Sequence, residues 1–326
     1  RAGGQTQRVI ERFWSVVLVS SLGESIDRVS LSAARKVFVD GFMATHDGYH
    51  VFVPQAPLGE IYEEGIALWL RRHGAKILLQ SRVERLEVKN NQVSAIVLSA
   101  RSEEYDAYIL AVPWHSIPKL LSPDLIAEVC PHVESNEGSP ITSIHLWFDR
   151  AITDLPHAVF VERVTHWLFN HNVGGVSRRA EKDVSSGRSG DLPYGGAFYY
   201  QAVISASRQL QSQGQASIVK EVVDDLRTAL PNAADAKLLR YRIVTQPNAV
   251  FSYRPGLDAI RPSQRTRLDN LFLAGDWTST GWPATMESAV RSGYLAAEYL
   301  LETIGDTTRS VCREGKHAFS HPPSFS

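Results

Sequence analysis

Between Asn270 and Gly293 the chain reads Asn-Leu-Phe-Leu-Ala-Gly-Asp-Trp-Thr-Ser-Thr-Gly-Trp-Pro-Ala-Thr-Met-Glu-Ser-Ala-Val-Arg-Ser-Gly. These residue types can hold an electron-rich ligand. Asp276 offers a carboxylate acceptor suited to a sugar hydroxyl. Gly275 lets the backbone come close to a ligand. The amides that open a helix after Thr285 have no acceptor within that helix and attract phosphate or carbonyl oxygens. A strand tip, a carboxylate and a helix mouth together suit a dinucleotide bound at the carboxyl end of a strand.

The elements that must position these groups are legible around them. Leu271 to Ala274 is an uninterrupted apolar run, as in a strand covered on both faces. Met286, Ala289, Val290, Gly293, Ala297, Leu300, Leu301 and Ile304 recur at three and four residues and predict one apolar helix face. Pro283 stands just before the helix, where a missing N–H costs least. Ala289, Gly293, Ala296 and Ala297 keep the helix slim enough to lie close to a sheet. An ordinary strand–loop–helix packing unit would share this outline, because fold-level patterns are weak evidence of function.

The wording of the segment is more specific than its outline. Gly275-Asp276-Trp277-Thr278 and Thr280-Gly281-Trp282-Pro283-Ala284-Thr285-Met286-Glu287 resemble the C-terminal FAD signature of the amine oxidase and phytoene desaturase superfamily of flavoproteins. Within that superfamily the segment is most similar to the hydroxysqualene dehydroxylases, the squalene-associated FAD-dependent desaturases. Val53-Pro54, Ala111-Val112-Pro113, His166-Trp167-Leu168-Phe169 and Arg261-Pro262 are similar to that family too.

The resemblance implies FAD as cofactor and an α/β fold: an incomplete Rossmann-like FAD-binding domain of the amine oxidase type, with a mixed-sheet α+β substrate domain. It divides the chain into residues 1–50 (first part of a substrate or cap domain), 51–118 (middle of the FAD domain), 119–265 (substrate domain), 266–304 (C-terminal strand and helix of the FAD domain) and 305–326 (disordered tail). It places Gly275, Asp276, Ala284, Thr285, Met286 and Ala289 at the flavin and its tether, and Trp282 as a wall of the ring or the substrate, or a core aromatic. Val83 would pass the adenine by its backbone, or be a plain strand residue. His166, Trp167 and Trp282 are the candidates for catalysis. His166 beside aromatics could polarise a hydroxyl, or be a structural histidine. Tyr199, Tyr200, Trp147, Trp167 and Phe169 could stabilise an allylic cation.

The implied substrate is a long isoprenoid lipid, and the implied reaction is the reduction of hydroxysqualene to squalene on the way to hopanoids or sterols. A hydrocarbon product further implies a cytoplasmic protein docked peripherally on the inner membrane surface. A carotenoid-type desaturase, an amine oxidase and a non-catalytic lipid-binding module are the alternatives. Such a flavoprotein also needs a strand–Gly-x-Gly-x-x-Gly–helix unit. The chain contains none and begins with Arg1, so the expectation is that about one hundred or more residues, a domain's worth, precede it.

Composition bounds the rest. At 326 residues, 44% hydrophobic and 21% charged, the chain is sized for two domains. A net charge of −1 gives no general attraction to nucleic acid. Two cysteines, Cys130 and Cys312, exclude a disulfide scaffold and a four-cysteine metal site; no metal is expected. The sequence does not set an oligomeric state.

Further along the chain, Leu58, Ile61, Tyr62, Gly65, Ile66 and Trp69 predict a helix stopped by Gly74. Residues 75–80, 82–88, 92–98 and 105–112 read as strands, with a turn at Asn90-Asn91. Alternation over 141–148 predicts a strand with Ile144, Leu146 and Phe148 on one side and His145 and Trp147 on the other. Residues 158–161, 166–169, 197–204 and 239–245 also read as strands, 215–229 as an amphipathic helix, and 174–191 as a mobile loop.

Overall fold

The computed structural model describes residues 4–50, 52–54, 56–99, 101–172 and 196–305. The loop expected at 174–191, the tail expected beyond Gly305 and Cys312 lie outside the described residues. The strands are β1 (Val83–Lys89), β2 (Gln92–Leu98), β3 (Arg101–Glu103), β4 (Tyr108–Leu110), β5 (Gly138–Phe148), β6 (His157–Val159), β7 (Trp167–Asn170), β8 (Phe198–Ser205), β9 (Leu238–Phe251) and β10 (Leu271–Leu273). Two long helices are α1 (Gln215–Ala229) and α2 (Met286–Thr303).

Contacts divide the chain into two compact units, one of residues 1–27, 39–78 and 139–249, the other of 28–38, 79–138 and 250–326. The boundaries expected from the sequence lie instead at 50/51, 118/119 and 265/266. One reason for the difference is the helical stretch after Pro113: Trp114 packs edge-on against Phe251 at 5.5 Å, and Ile117, Leu120, Ile126 and Val129 are buried.

In the first unit, strands run in the order β6-β7-β8-β5-β9. β5 and β8 pair antiparallel from Ile141↔Ser205 to Phe148↔Phe198. Period-two alternation sends Ile144, Leu146, Phe148, Leu168, Tyr200, Ala202 and Ile204 to one face. There they form a core with Ile218, Val219, Val222, Val223 and Leu226 of α1. Tyr200, expected at a substrate, is fully buried in that core, and its hydroxyl accepts from the Ile152 amide at 3.1 Å.

The second unit holds two sheets. β1, β2 and β3 form an antiparallel ladder, turned at Asn90 and Asn91, both with positive φ (51° and 63°), as a two-residue hairpin of this hand requires. β3 was not read from the sequence. β4 and β10 pair in parallel, Tyr108↔Leu271 to Leu110↔Leu273, and the strand expected over 105–112 is regular only at its centre. Asn270 joins the two sheets, donating to the Val93 carbonyl (2.9 Å) and accepting from the Val93 amide (2.8 Å).

One expectation fails and one holds. Residues 75–80 are not a strand; Gln80 has φ of 56°, and no described strand takes up the hydrogen bonds such a strand would need. The helix through Leu58–Trp69 forms as Glu60–Ile66 and Ala67–Arg72, ended by Gly74 at φ 87°. Its stripe of Leu58, Ile61, Tyr62, Ile66 and Trp69 is exposed.

Candidate functional site

In the second unit the chain leaves β10 through Ala274 and Gly275 at the carboxyl end of the parallel pair. Gly275 has φ of 140°, and a Cβ on it would meet Trp277 Nε1 at 2.5 Å. The glycine therefore acts locally. It lets Trp277 fold back over the strand end, where its indole N–H donates to the Val112 carbonyl at 2.9 Å.

Arg261 organises the loop that follows. It is buried, and its guanidinium donates to the carbonyls of Asp276 (2.8 Å), Trp282 (2.7 Å) and Trp277 (3.4 Å), and to the Tyr253 hydroxyl (3.1 Å). Burial lowers its pKa to about 10, against the pull of Asp258 and Asp276, so it remains a cation at neutral pH. Gln264 donates to Thr278 Oγ1 and to the Ser279 carbonyl, both at 2.9 Å. In the sequence Arg261 stands out only within a family word. Its role could not be read from local pattern, because its partners are carbonyls fifteen to twenty-one residues away.

Helix α2 starts at Thr285, an extended N-cap whose Oγ1 accepts from the Ser288 amide at 3.3 Å. The amides of Met286 and Glu287 have no acceptor inside the helix. The face α2 buries is not the predicted apolar one: Ser288, Ser292, Ala296 and Glu298 are buried, whereas Met286, Val290 and Ile304 are exposed. Ser292 Oγ accepts from the Gly275 amide (2.7 Å) and Ser288 Oγ sits 2.7 Å from Thr280 Oγ1. Short hydroxyls here meet backbone polar groups at the strand end, which hydrophobic periodicity does not register.

Among the predicted cofactor contacts, Gly275, Asp276, Trp282, Ala284, Thr285, Met286 and Ala289 lie along this loop and helix start. The Asp276 carboxyl is pushed upward by burial, with Arg261 and its own and the Trp277 amides pulling the other way. Ala284 is buried, while Met286 and Ala289 are exposed. The ring of Trp282 lies 4.7 Å from Lys36 Nζ and 5.8 Å from the Arg291 guanidinium carbon. Val83 stands apart, at the start of β1. It lines a cavity of about 580 Å³ with Glu84, residues 107–112 and Lys119, which reaches Val112, the residue that Trp277 bonds.

These groups fit the polar parts of a flavin dinucleotide. Helix-mouth amides suit carbonyl or phosphate oxygens, and the Asp276 carboxyl suits a hydroxyl. A buried donor, Arg291 Nε, has no hydrogen-bond partner among the described residues.

His166 and Trp167 belong to the first unit. His166 Nδ1 accepts from the Ser205 amide at 3.1 Å, and burial lowers its pKa. It lines a cavity of about 430 Å³ with Glu11, Ser15, Val19 and Arg163. Trp167 stacks on Phe169 at 5.8 Å and donates to Ser20 Oγ at 2.9 Å.

The family described as flavin containing amine oxidoreductase matches residues 6–301. The 15-cis-phytoene desaturase of an Oncidium hybrid cultivar is 31% identical over 247 residues, covering 72% of this chain and 39% of that protein. The hydroxysqualene dehydroxylase of Sinorhizobium fredii is 26% identical over 290 residues, covering 87% of this chain and 61% of that protein. The chain thus spans about two fifths of the length of the curated desaturases it matches. Among solved structures, cyclohexylamine oxidase from Brevibacterium oxydans aligns with a TM-score of 0.61 at 17% identity, covering 92% of this chain and 66% of that one. An oxidoreductase from Methanosarcina mazei aligns with a TM-score of 0.61 at 14% identity, covering 89% and 64%. At these identities the likeness shows a shared mixed α/β fold.

Proposed function

The chain belongs to the flavin-containing amine oxidoreductase family, and from that premise we propose that it is part of an FAD-dependent oxidoreductase that reduces hydroxysqualene to squalene. FAD is the cofactor that membership implies. The observation that carries the finer reading is the reach of the Sinorhizobium fredii match, 290 residues and 87% of this chain. The phytoene desaturase of Oncidium, at 31% identity over 247 residues, supports a second reading, desaturation of a carotenoid precursor.

In this proposal the helix-mouth amides of Met286 and Glu287 and the Asp276 carboxyl hold the polar part of the cofactor, with Ala284 and Thr285 beside them. Arg261 keeps the loop carbonyls turned toward itself and so fixes the direction of the remaining loop groups. Val83 would contact the adenine end by its backbone. When bound and reduced, the flavin would supply hydride to the substrate. Overall, an allylic C–OH bond breaks, a C–H bond forms from the hydride, and one proton completes the departing water. Trp147, Trp167, Phe169 and Tyr199 supply aromatic faces suited to a C30 chain and an allylic cation. A substrate this apolar partitions into bilayers, so the proposed place of work is a peripheral membrane surface. Among the described residues no helix is long and apolar enough to cross a membrane.

The test is anaerobic incubation of the FAD-loaded, chemically reduced protein with hydroxysqualene, analysed for squalene. Squalene formation supports the proposal. No squalene here, together with desaturation of phytoene by the oxidised FAD-loaded protein supplied with a quinone as electron acceptor, would favour the second reading.

A further inference from the structure

The face of the five-stranded sheet opposite its apolar core carries a hydrogen-bonded cluster that the cofactor does not require. Tyr199 OH lies 2.6 Å from His145 Nδ1. His171 Nε2 lies 3.2 Å from Gln201 Oε1, and Gln201 Nε2 donates to Ser143 Oγ. Trp147 stacks on Tyr199 at 5.0 Å, and His171 stacks on its ring at 4.6 Å. All of these side chains are half-buried.

Resting on the isoprenoid reading above, we propose that His145 and His171, braced by Tyr199 and Gln201, form a neutral anchor that holds the hydroxyl of an otherwise apolar substrate. The polarity of each hydrogen bond assigns the free groups. In the proposed anchor the Tyr199 O–H donates to His145 Nδ1 at 2.6 Å, as a phenol that burial keeps protonated allows. Burial, with Arg242 and His171, lowers the His145 pKa, and burial lowers that of His171. His145 is then the neutral ring with its proton on Nε2. His171 uses its Nε2–H on the Gln201 carbonyl and keeps a lone pair on Nδ1. One donor and one acceptor, both uncharged, match a hydroxyl, which both accepts and donates. The surroundings oppose a protonated amine: Arg240 lies over Trp147 at 5.2 Å, and Arg242 already disfavours positive charge on His145.

The experiment is equilibrium binding of hydroxysqualene and squalene to the full chain, followed by tryptophan fluorescence, for the native protein, His145→Phe and His171→Phe. The native protein should prefer the alcohol about tenfold, the size expected of one or two net hydrogen bonds. Each variant should lose that preference while binding squalene as before. Equal binding of both ligands by the native protein, or a preference that survives both substitutions, overturns the anchor and leaves the isoprenoid reading standing. Binding of neither ligand overturns the isoprenoid reading and the anchor with it. Should a variant not fold, nitrogen NMR of the native imidazoles decides: an Nε2–H tautomer on His145 is expected, and an Nδ1–H tautomer overturns the assignment.

Discussion

Trp277 fills the space that a side chain on residue 275 would need, its Nε1 standing 2.5 Å from where a Cβ would lie. The same nitrogen is bonded to the Val112 carbonyl, so the indole cannot move aside without losing that bond. Gly275→Ala should therefore destabilise the protein by about 2 kcal/mol or more, combining overpacking with a strained backbone. Gly281, with φ of 71° and nothing within 4 Å, provides the control. Alanine there meets only the left-handed backbone penalty, about 1–2 kcal/mol. Urea midpoints for the two variants measure the difference, and equal midpoints would refute the steric account.

Arg261 should tolerate neither loss nor apparent conservation. Lysine cannot reproduce a fork that serves three carbonyls at once. Arg261→Lys and Arg261→Met should each cost about 2–4 kcal/mol through unsatisfied buried carbonyls, and each should weaken FAD binding, read by flavin fluorescence. A fully stable lysine variant would show that charge, not geometry, holds the loop.

Asp276 sets a pH dependence with a definite sign. Burial raises its folded pKa above the ordinary 3.8, so the folded state binds the proton more tightly than the unfolded state. Its contribution to stability is greatest below 3.8 and falls as pH rises through the folded value, then stays level. Asp276→Asn should remove this fall, so the stability gap between the variant and the native protein should widen upward from about pH 4. If the Asp276 carboxyl bonds the cofactor, the same variant should bind FAD more weakly by about 1–3 kcal/mol. Parallel urea titrations from pH 3 to 8 and a flavin titration measure both.

Glu24 is fully buried and accepts from both terminal nitrogens of Arg208 at 2.6 and 2.8 Å, and from the Ser25 amide at 2.7 Å. Glu24→Ala should cost about 1.5–3 kcal/mol by removing charge-assisted hydrogen bonds from a fully buried carboxylate, the Arg208 guanidinium staying partly exposed to solvent. Replacing both residues with apolar side chains of similar volume should cost much less. A double-mutant cycle measures the coupling.

The parts legible in the sequence are those that follow short-range rules. The alternation of β5 put Ile144 inward and His145 outward because successive strand residues point to opposite faces, and the Asn90-Asn91 turn announced the hairpin by composition. The strand at 75–80 and the apolar stripe of α2 were misread for one reason: periodicity records which residues could share a face, not whether anything faces them. The residues expected at the cofactor could be named from the resemblance. Arg261, Ser288 and Ser292, which hold that segment in place, could not, since their roles depend on partners distant in sequence. Likewise the meeting of His145 and His171 at Tyr199 was not legible, because it depends on contacts across the sheet.

The serines on the inner side of α2 have a mechanical consequence. A greasy helix can roll against a sheet with little change in energy, because one methyl contact substitutes for another. Here the Gly275 amide, the Asp276 carbonyl and Thr280 engage two hydroxyls one turn apart, so rotation about the axis is indexed, like a keyed shaft. The azimuth of the leading amides is then a property of Ser288 and Ser292, and a change as small as a missing oxygen there could re-aim the mouth of the helix without unfolding it.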